Sequence, residues 1–249
     1  MKKNKTLSIA TKLILILLLV GTLTAGEIKV AVAANVSYAI KPLIKEFNKT
    51  NKTKVKIVLG SSGKLTAQII NGAPYDLFLS ANMKYPNRLY QDKIALKKPV
   101  VYAQGTLVLF SSKKTQLNDI SIINTAQKIA IANPKTAPYG KAAYEAISNA
   151  NLLENNIKKF IYAENISQTV QYTLIAADIG FIAKASLFAP KMSTYKEKEN
   201  YIDIDASLYT PINQGIALLS SKNEAQVFYN FIISKKAKEV FEKYGYIVE

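Results

Sequence analysis

The chain has 249 residues, of which 33 are Lys or Arg and 17 are Asp or Glu, so its formal net charge is +16. It contains no His and no Cys, which excludes Ser-His-Asp triads, cysteine nucleophiles, disulfides and the common zinc sites. The absence of Trp and the presence of a single arginine, Arg88, argue against sugar and amino-acid ligands. The lysines are scattered, whereas nucleic-acid-binding proteins concentrate basic residues on one face, so we expect no nucleic-acid partner.

The first residues have the order of a secretory signal. Four lysines within residues 2–12 precede the apolar run 13–20, and small residues follow it. The run is too short to span a bilayer comfortably, and no Cys follows it for a lipid anchor. We therefore predict a signal peptide over residues 1–26, cleaved after Ala25 or Gly26, and a periplasmic mature chain of about 223 residues with a net charge of about +12. A retained N-terminal anchor is the alternative.

Strands and helices alternate along the first part of the mature chain. Strands are predicted at 27–34, 54–59 and 76–80, with helices at 37–48 and 65–70. The first helix has its apolar residues on one face, at 40, 43, 44 and 47. This periodicity is typical of a helix that packs against a sheet.

The same alternation returns in the second part. Strands are predicted at 106–110, 128–132, 160–163, 179–183 and 214–219, and helices at 141–149, 165–176, 224–234 and 236–244, the last one stopped by Gly245. A β-α-β-α-β order used twice predicts an α/β fold of two lobes, each a mostly parallel sheet flanked by helices. We predict that residues 27–104 plus 212–249 form lobe I and that residues 105–211 form lobe II. Two crossing strands, near 103–106 and 209–215, would join the lobes.

Four turns offer hydrogen-bond donors where a strand leads into a helix. They are Ala34-Asn35, Ser61-Ser62-Gly63, Pro138-Tyr139-Gly140 and Asn165-Ile166. The first N–H groups of a helix lack internal partners and lie at the positive end of its dipole. We therefore predict a pocket for a small oxyanion at the carboxyl ends of the strands. It would reject a protonated phosphate, which needs an acceptor. The structural alternative is that Asn35 and Ser62 are plain helix N-caps.

Residues 60–65 also partly match two other motifs, a Walker loop and a Ser-x-Lys catalytic pair. The spacing Gly-x-x-Gly-Lys is not that of a Walker loop, and Leu65 stands where that loop needs Ser or Thr. Ser62 with Lys64 matches a Ser-x-Lys pair, but the four turns contain no carboxylate pair. We predict that the chain is not an enzyme; a secreted hydrolase and a surface interaction protein remain competing interpretations.

Six segments together resemble the periplasmic molybdate-binding proteins of ABC transporters. They lie at residues 30–35, 60–65, 71–81, 133–140, 180–183 and 244–246. Each is weak alone, but their order and spacing extend over nearly all of the mature chain. The resemblance implies a type II periplasmic-binding-protein fold whose two lobes close on molybdate or tungstate. It also implies delivery of that anion to an ABC permease in the inner membrane. We expect a monomer without a cofactor.

The resemblance also implies which residues bind the anion. Asn35 and Ser62 would supply side-chain and backbone donors, and Tyr139 and Ile166 would supply backbone N–H groups from the other lobe. The metal would be bound only as its oxyanion, through these four residues. Sulfate or another tetrahedral oxyanion is the alternative ligand.

Three further positions complete this expectation. Ala34 and Ser61 adjoin Asn35 and Ser62, and we include them in the oxyanion site. Some members of the family have a tyrosine near the strand that begins at residue 179. This chain has Ala183 there, so a hydroxyl contact from that position is excluded.

Overall fold

A computed structural model describes residues 26–248, so the predicted signal peptide lies outside the described residues except for Gly26. Within this range the strands are β1 (Glu27–Ala33), β2 (Lys54–Gly60), β3 (Leu77–Leu79), β4 (Val100–Gly105), β5 (Leu107–Phe110), β6 (Ile129–Ala132), β7 (Phe160–Ala163), β8 (Ile179–Ala183), β9 (Tyr201–Asp203) and β10 (Ile212–Leu218).

The α-helices of the described residues are α1 (Ile40–Phe47), α2 (Ser62–Ile70), α3 (Lys84–Gln91), α4 (Pro138–Asn149), α5 (Leu153–Asn156), α6 (Ile166–Ile175), α7 (Asn223–Ile232) and α8 (Lys235–Lys243). Short 3-10 helices lie at Ala34–Tyr38, Ile120–Thr125, Ile157–Lys159, Lys184–Phe188, Pro190–Met192 and Ala206–Leu208. No helix in this range is both long and apolar enough to cross a membrane.

The strands form two five-stranded sheets with the same plan. The first sheet has the order β2-β1-β3-β10-β4 and the second has the order β7-β6-β8-β5-β9. In each sheet the fourth strand, β10 or β5, runs antiparallel to its neighbours, while the other four strands share one direction. The predicted α/β fold with mostly parallel sheets is confirmed. The chain passes from the first sheet to the second at Thr106, and it returns between β9 and β10.

Both faces of each sheet are covered. Successive side chains of a strand point to opposite faces, so a continuously apolar strand contributes to two apolar clusters. On β1, Val30 and Val32 belong to one apolar cluster with residues of α1, α7 and α8. Ala31 points the other way, into a cluster with residues of α2. On β5, Leu107 and Leu109 likewise share one cluster, whereas Val108 joins another. These layers hold the strand ends in place.

Several helix boundaries differ from the predicted ones. The predicted helix at 37–48 is divided into the 3-10 helix Ala34–Tyr38 and α1. Helices α2 and α4 begin at Ser62 and Pro138, three residues before the predicted starts. Apolar periodicity does not reveal such starts, because their first turns are polar or contain Pro, which is well tolerated there. Strand β9 and helix α3 were not predicted, and β4 begins at Val100, three residues before the crossing strand predicted near 103–106.

Candidate functional site

A small cavity lies where the four predicted turns meet. Its volume is about 10 Å³, which is room for about one water molecule. Its lining includes all six residues predicted for the oxyanion site, namely Ala34, Asn35, Ser61, Ser62, Tyr139 and Ile166. Four helices begin around it: the 3-10 helix that follows β1, then α2, α4 and α6. Two of these follow strands of the first sheet and two follow strands of the second.

Strand register brings the helix starts together. In the first sheet Ala33 pairs with Gly60, so the turns after β1 and β2 begin side by side. In the second sheet Ala132 pairs with Ala163, with the same consequence for the turns after β6 and β7. Across the cleft, the Gly63 N–H donates to the carbonyl of Thr136 at 2.9 Å. The carboxyl ends of both sheets therefore face one space, where open α/β sheets bind ligands.

Ser62 has an unused donor at this cavity. Its side chain is fully buried, and its Oγ accepts a hydrogen bond from the Ala81 N–H at 2.9 Å. Its own hydroxyl hydrogen has no acceptor within residues 26–248. Ser62 is the first residue of α2, and its N–H has no partner inside the helix. The N-cap is Ser61, and it makes no side-chain capping bond, so the interpretation of Ser62 as a plain N-cap is wrong.

The side chain of Asn35 is turned into the protein. Its Nδ2 donates to Gln214 Oε1 at 2.8 Å and to Tyr246 Oη at 3.2 Å, while Tyr246 Oη donates to the Asn35 carbonyl at 2.8 Å. Both amide hydrogens are thus engaged, and the expected side-chain donation toward a ligand is not observed. The N-cap of the 3-10 helix is Ala33, so Asn35 is not a plain N-cap either. Its backbone N–H lies in the first turn of that helix.

Tyr139 joins the second sheet's helix α4 to this buried network. Its Oη accepts a hydrogen bond from Gln214 Nε2 at 3.3 Å, and Gln214 Oε1 also accepts from Tyr102 Oη at 2.8 Å. The pKa values of Tyr139 and Tyr102 are both raised well above the ordinary value for tyrosine. The larger cause is burial, and the second is the neighbouring phenol of Tyr246. These hydroxyls are therefore neutral at pH 7, and they place no phenolate charge beneath the cavity.

Sequence reasoning missed two parts of this network. The sequence analysis treated Gln214 only as a strand residue. It is fully buried in a strand that is otherwise largely apolar, and a Gln in such a strand indicates that its amide needs hydrogen-bond partners. Tyr246 lies in one of the family-like segments, but nothing in the sequence connects it with Asn35. Their meeting depends on the C-terminal segment pairing with β4, where Gln104 and Ile247 exchange backbone hydrogen bonds.

Glu164 was also missed, although it directly precedes Asn165 in the sequence. Its Oε1 accepts from the Ser61 backbone N–H at 3.4 Å and from Ser61 Oγ at 3.1 Å, and Lys64 Nζ lies 4.0 Å away. Its Oε2 accepts a hydrogen bond from Asn165 Nδ2. A carboxylate acceptor therefore lies beside the predicted donors of Ser61, although the prediction that the site rejects a protonated phosphate assumed no such acceptor. Both carboxylate oxygens accept hydrogen bonds from neighbouring residues of the protein.

Three further residues named in the sequence analysis, Asn165, Ile166 and Ala183, follow or end strands of the second sheet. Asn165 caps α6, because its Oδ1 accepts from the Gln168 N–H at 3.0 Å. Ile166, the first residue of α6, is buried, and its N–H has no partner inside the helix. Ala183 ends β8 and is not among the residues that line the cavity.

The described residues also form other cavities, but they contain no metal-binding cluster. No group of three or more Asp or Glu residues within residues 26–248 could hold a metal ion. A larger cavity of about 630 Å³ lies between residues 117–120 and 197–208, and it contains none of the predicted site residues.

Comparison with known proteins identifies the family. The family model for the bacterial extracellular solute-binding proteins matches residues 28–247. The chain belongs to this family. It is 33% identical to the molybdate-binding protein ModA of Azotobacter vinelandii over 89% of this chain and 90% of that protein. It is 32% identical to ModA of Rhodobacter capsulatus over 96% of both chains.

Solved structures of related binding proteins share the fold of this chain. The periplasmic molybdate-binding protein of Azotobacter vinelandii superposes with a TM-score of 0.82 at 31% identity, covering 89% of this chain and 99% of that one. The sulfate-binding protein SubI of Mycobacterium tuberculosis superposes with a TM-score of 0.71 at 13% identity, which shows a shared fold alone. The predicted resemblance to periplasmic molybdate-binding proteins is confirmed, and the curated ModA relatives are named as binding proteins rather than enzymes.

Proposed function

We propose that this protein is an extracytoplasmic receptor that captures molybdate or tungstate in the cavity and delivers it to an ABC permease in the membrane. The observation that supports this most is the meeting of four helix N-termini around one small cavity. Such termini favour anions through unpaired N–H groups and the helix dipole. The names of the ModA relatives supply the identity of the anion.

Donors from both sheets would hold the oxyanion. Ser62 would contribute its free hydroxyl and its backbone N–H. Asn35, Tyr139 and Ile166 would each contribute the backbone N–H of a first helical turn, and Ala34 and Ser61 would complete the wall. Since Asn35 uses its amide hydrogens within the protein, we assign its contact to the backbone. Each hydrogen bond to a charged ligand would contribute roughly 1.5–3 kcal/mol.

Selectivity would come from the excess of donors over acceptors at the cavity. A protonated phosphate must donate a hydrogen bond, whereas the carboxylate of Glu164 accepts from Ser61 and Asn165 and the buried Asn35 Oδ1 is an acceptor without a partner among the described residues. Molybdate and tungstate carry no proton at neutral pH, so donors alone suffice for them. Sulfate is also unprotonated, and the size of the closed cavity would have to exclude it.

Binding would close two lobes over the anion. We propose the boundaries 27–104 plus 212–249 for lobe I and 105–211 for lobe II, because the two sheets divide there. The hinge would lie at Gln104-Gly105 and Pro211 to Gly215. The closed lobes would form the surface that the permease recognises, and we propose that the receptor acts as a monomer.

Titration calorimetry of residues 27–249 with molybdate, tungstate, sulfate and phosphate tests this function. We expect one-to-one binding of molybdate and tungstate and no heat from phosphate. At about 1,000 times the dissociation constant, ligand should stabilise the fold by about 4 kcal/mol. Absence of binding by both metal oxyanions, or equal binding of phosphate, would disprove the proposal, and tighter binding of sulfate would favour the alternative ligand.

A further inference from the structure

Glu164 lies beside the cavity, on the wall of a second, open space. Next to the cavity lies an open groove of about 620 Å³, lined from one side by residues of α2 and from the other by residues of β7 and α6. Ser61 lines both the groove and the cavity, whereas Glu164 lines the groove. The contact between Ser61 and Glu164 therefore lies where the two spaces adjoin.

This contact joins the two halves of the molecule. Ser61 follows a strand of the first sheet, and Glu164 follows a strand of the second. The carboxylate accepts from the Ser61 backbone N–H and hydroxyl at the N-cap of α2. That is the position where a helix favours a negative charge. Opening of the cleft has to break both hydrogen bonds.

The carboxylate is held in position by its own lobe. Asn165 Nδ2 donates to its second oxygen, while Asn165 Oδ1 caps α6. The Glu164 backbone N–H donates to Gln168 Oε1 at 2.7 Å, so residues of one short turn fix both the main chain and the side chain. This arrangement lowers the entropy that the side chain loses when it reaches across the cleft.

We propose that Glu164 is the latch residue of the cleft, which slows release of the bound oxyanion by holding the lobes closed. This inference rests on the proposed function. The latch acts through hydrogen bonds to Ser61 rather than through its ion pair. Lys64 and Glu164 have 59% and 38% of their side-chain surface exposed and lie 4.0 Å apart, and exposed pairs of this kind contribute little. Because Glu164 is partly exposed, its hydrogen bonds to Ser61 stabilise the closed form only weakly. They slow opening of the cleft, but the bound anion is still needed to keep the lobes closed.

Two substitutions separate the latch from a charge effect. Glu164→Ala removes the acceptor, and we expect radiolabelled molybdate, chased with excess unlabelled molybdate, to dissociate about three- to tenfold faster. Glu164→Gln keeps an oxygen that can accept from Ser61, although its amide nitrogen replaces the oxygen that accepts from Asn165. Molybdate should therefore dissociate from it faster than from the parent chain but more slowly than from Glu164→Ala. Association rates and the unfolding midpoint without ligand should stay close to those of the parent. Glu154→Ala, on an exposed position of α5, is the matched control and should leave dissociation unchanged.

The outcomes are distinct from those of the proposed function. If the parent chain binds no molybdate in calorimetry, the proposed function fails first. If the parent binds and Glu164→Ala releases molybdate at the parent rate, the latch is disproved while the function stands. If Glu164→Gln is as fast as Glu164→Ala, charge rather than hydrogen bonding is responsible, and the proposed latch mechanism is overturned.

Discussion

Gln214 donates a hydrogen bond from Nε2 to the hydroxyl of Tyr139 at 3.3 Å, so a strand of the first sheet is tied to the helix that begins beside the cavity in the second half. The tyrosine also rests against the segment that crosses between the sheets. A Cβ atom built on Gly105 would lie 1.9 Å from Tyr139 Oη. One buried side chain thus contacts both segments that we propose as the hinge.

Removal of the Tyr139 hydroxyl tests this connection. Tyr139→Phe leaves Gln214 Nε2 without its acceptor, and a buried unsatisfied group should cost about 1–3 kcal/mol of unfolding free energy. The backbone N–H of residue 139 is retained, so molybdate affinity should change less than it does for Ser62→Ala. Urea unfolding of Tyr139→Phe, Gln214→Met and the double variant measures the coupling, which we expect to exceed about 0.5 kcal/mol. Additive effects would show that the two side chains act independently.

Ser62→Ala should weaken molybdate binding by roughly 1.5–3 kcal/mol, which is about 10- to 150-fold in affinity, because one donor to the anion is lost. The Ala81 N–H also loses its acceptor, so some stability should be lost as well. Ser111→Ala is a suitable control, since Ser111 is buried and donates to the carbonyl of Asp178 at 2.8 Å outside the site. It should lower the unfolding midpoint and leave calorimetric affinity intact. Equal affinity of Ser62→Ala and the parent would remove Ser62 from the binding residues.

Gly140→Ala should disturb the start of α4. Its Cβ would lie 2.1 Å from the carbonyl oxygen of Ala132, a backbone atom that cannot rotate away, so the first turn must shift. We expect a loss of about 1–3 kcal/mol of stability together with reduced molybdate affinity. Gly72→Ala is the control: its φ is +84° with open space around it, so it should cost about 1–2 kcal/mol and leave affinity unchanged. Calorimetry and urea unfolding of both variants distinguish these outcomes.

The Asp178 carboxylate should contribute a pH-dependent part of the stability. Hydrogen bonds from the backbone N–H groups of Lys128 and Gln127 lower its pKa below the ordinary value of 3.8. The stabilisation is therefore fully present above the ordinary pKa, and it is lost as the pH falls through the lowered folded pKa. Thermal midpoints of the parent should fall over this acidic range more steeply than those of Asp178→Asn. Parallel curves would contradict the assignment.

Ligand should make the molecule more compact. The proposed closed form is held by contacts across the cleft, such as the bond from Ser167 Oγ to the Ala34 carbonyl at 2.8 Å, and the anion adds donors that meet only in that form. Small-angle scattering should show a smaller radius of gyration with saturating molybdate than without it, and no change with phosphate. An unchanged radius, with saturation verified by calorimetry, would indicate a rigid site that is closed beforehand.

The sequence by itself determined the fold class, the order of most elements and the set of turns that line the cavity. Apolar periodicity reports which faces are buried, and small polar residues after a strand indicate a helix start, so local chemistry was sufficient for these. It placed the starts of α2 and α4 too late, because the first turn of each helix lies before the apolar pattern begins. The direction of the Asn35 amide, the Gln214 network and the contact between Glu164 and Ser61 were decided only by the tertiary structure. The hydrogen bonds concerned join residues 75 to 179 positions apart, and no local pattern encodes which distant partners satisfy a buried polar group.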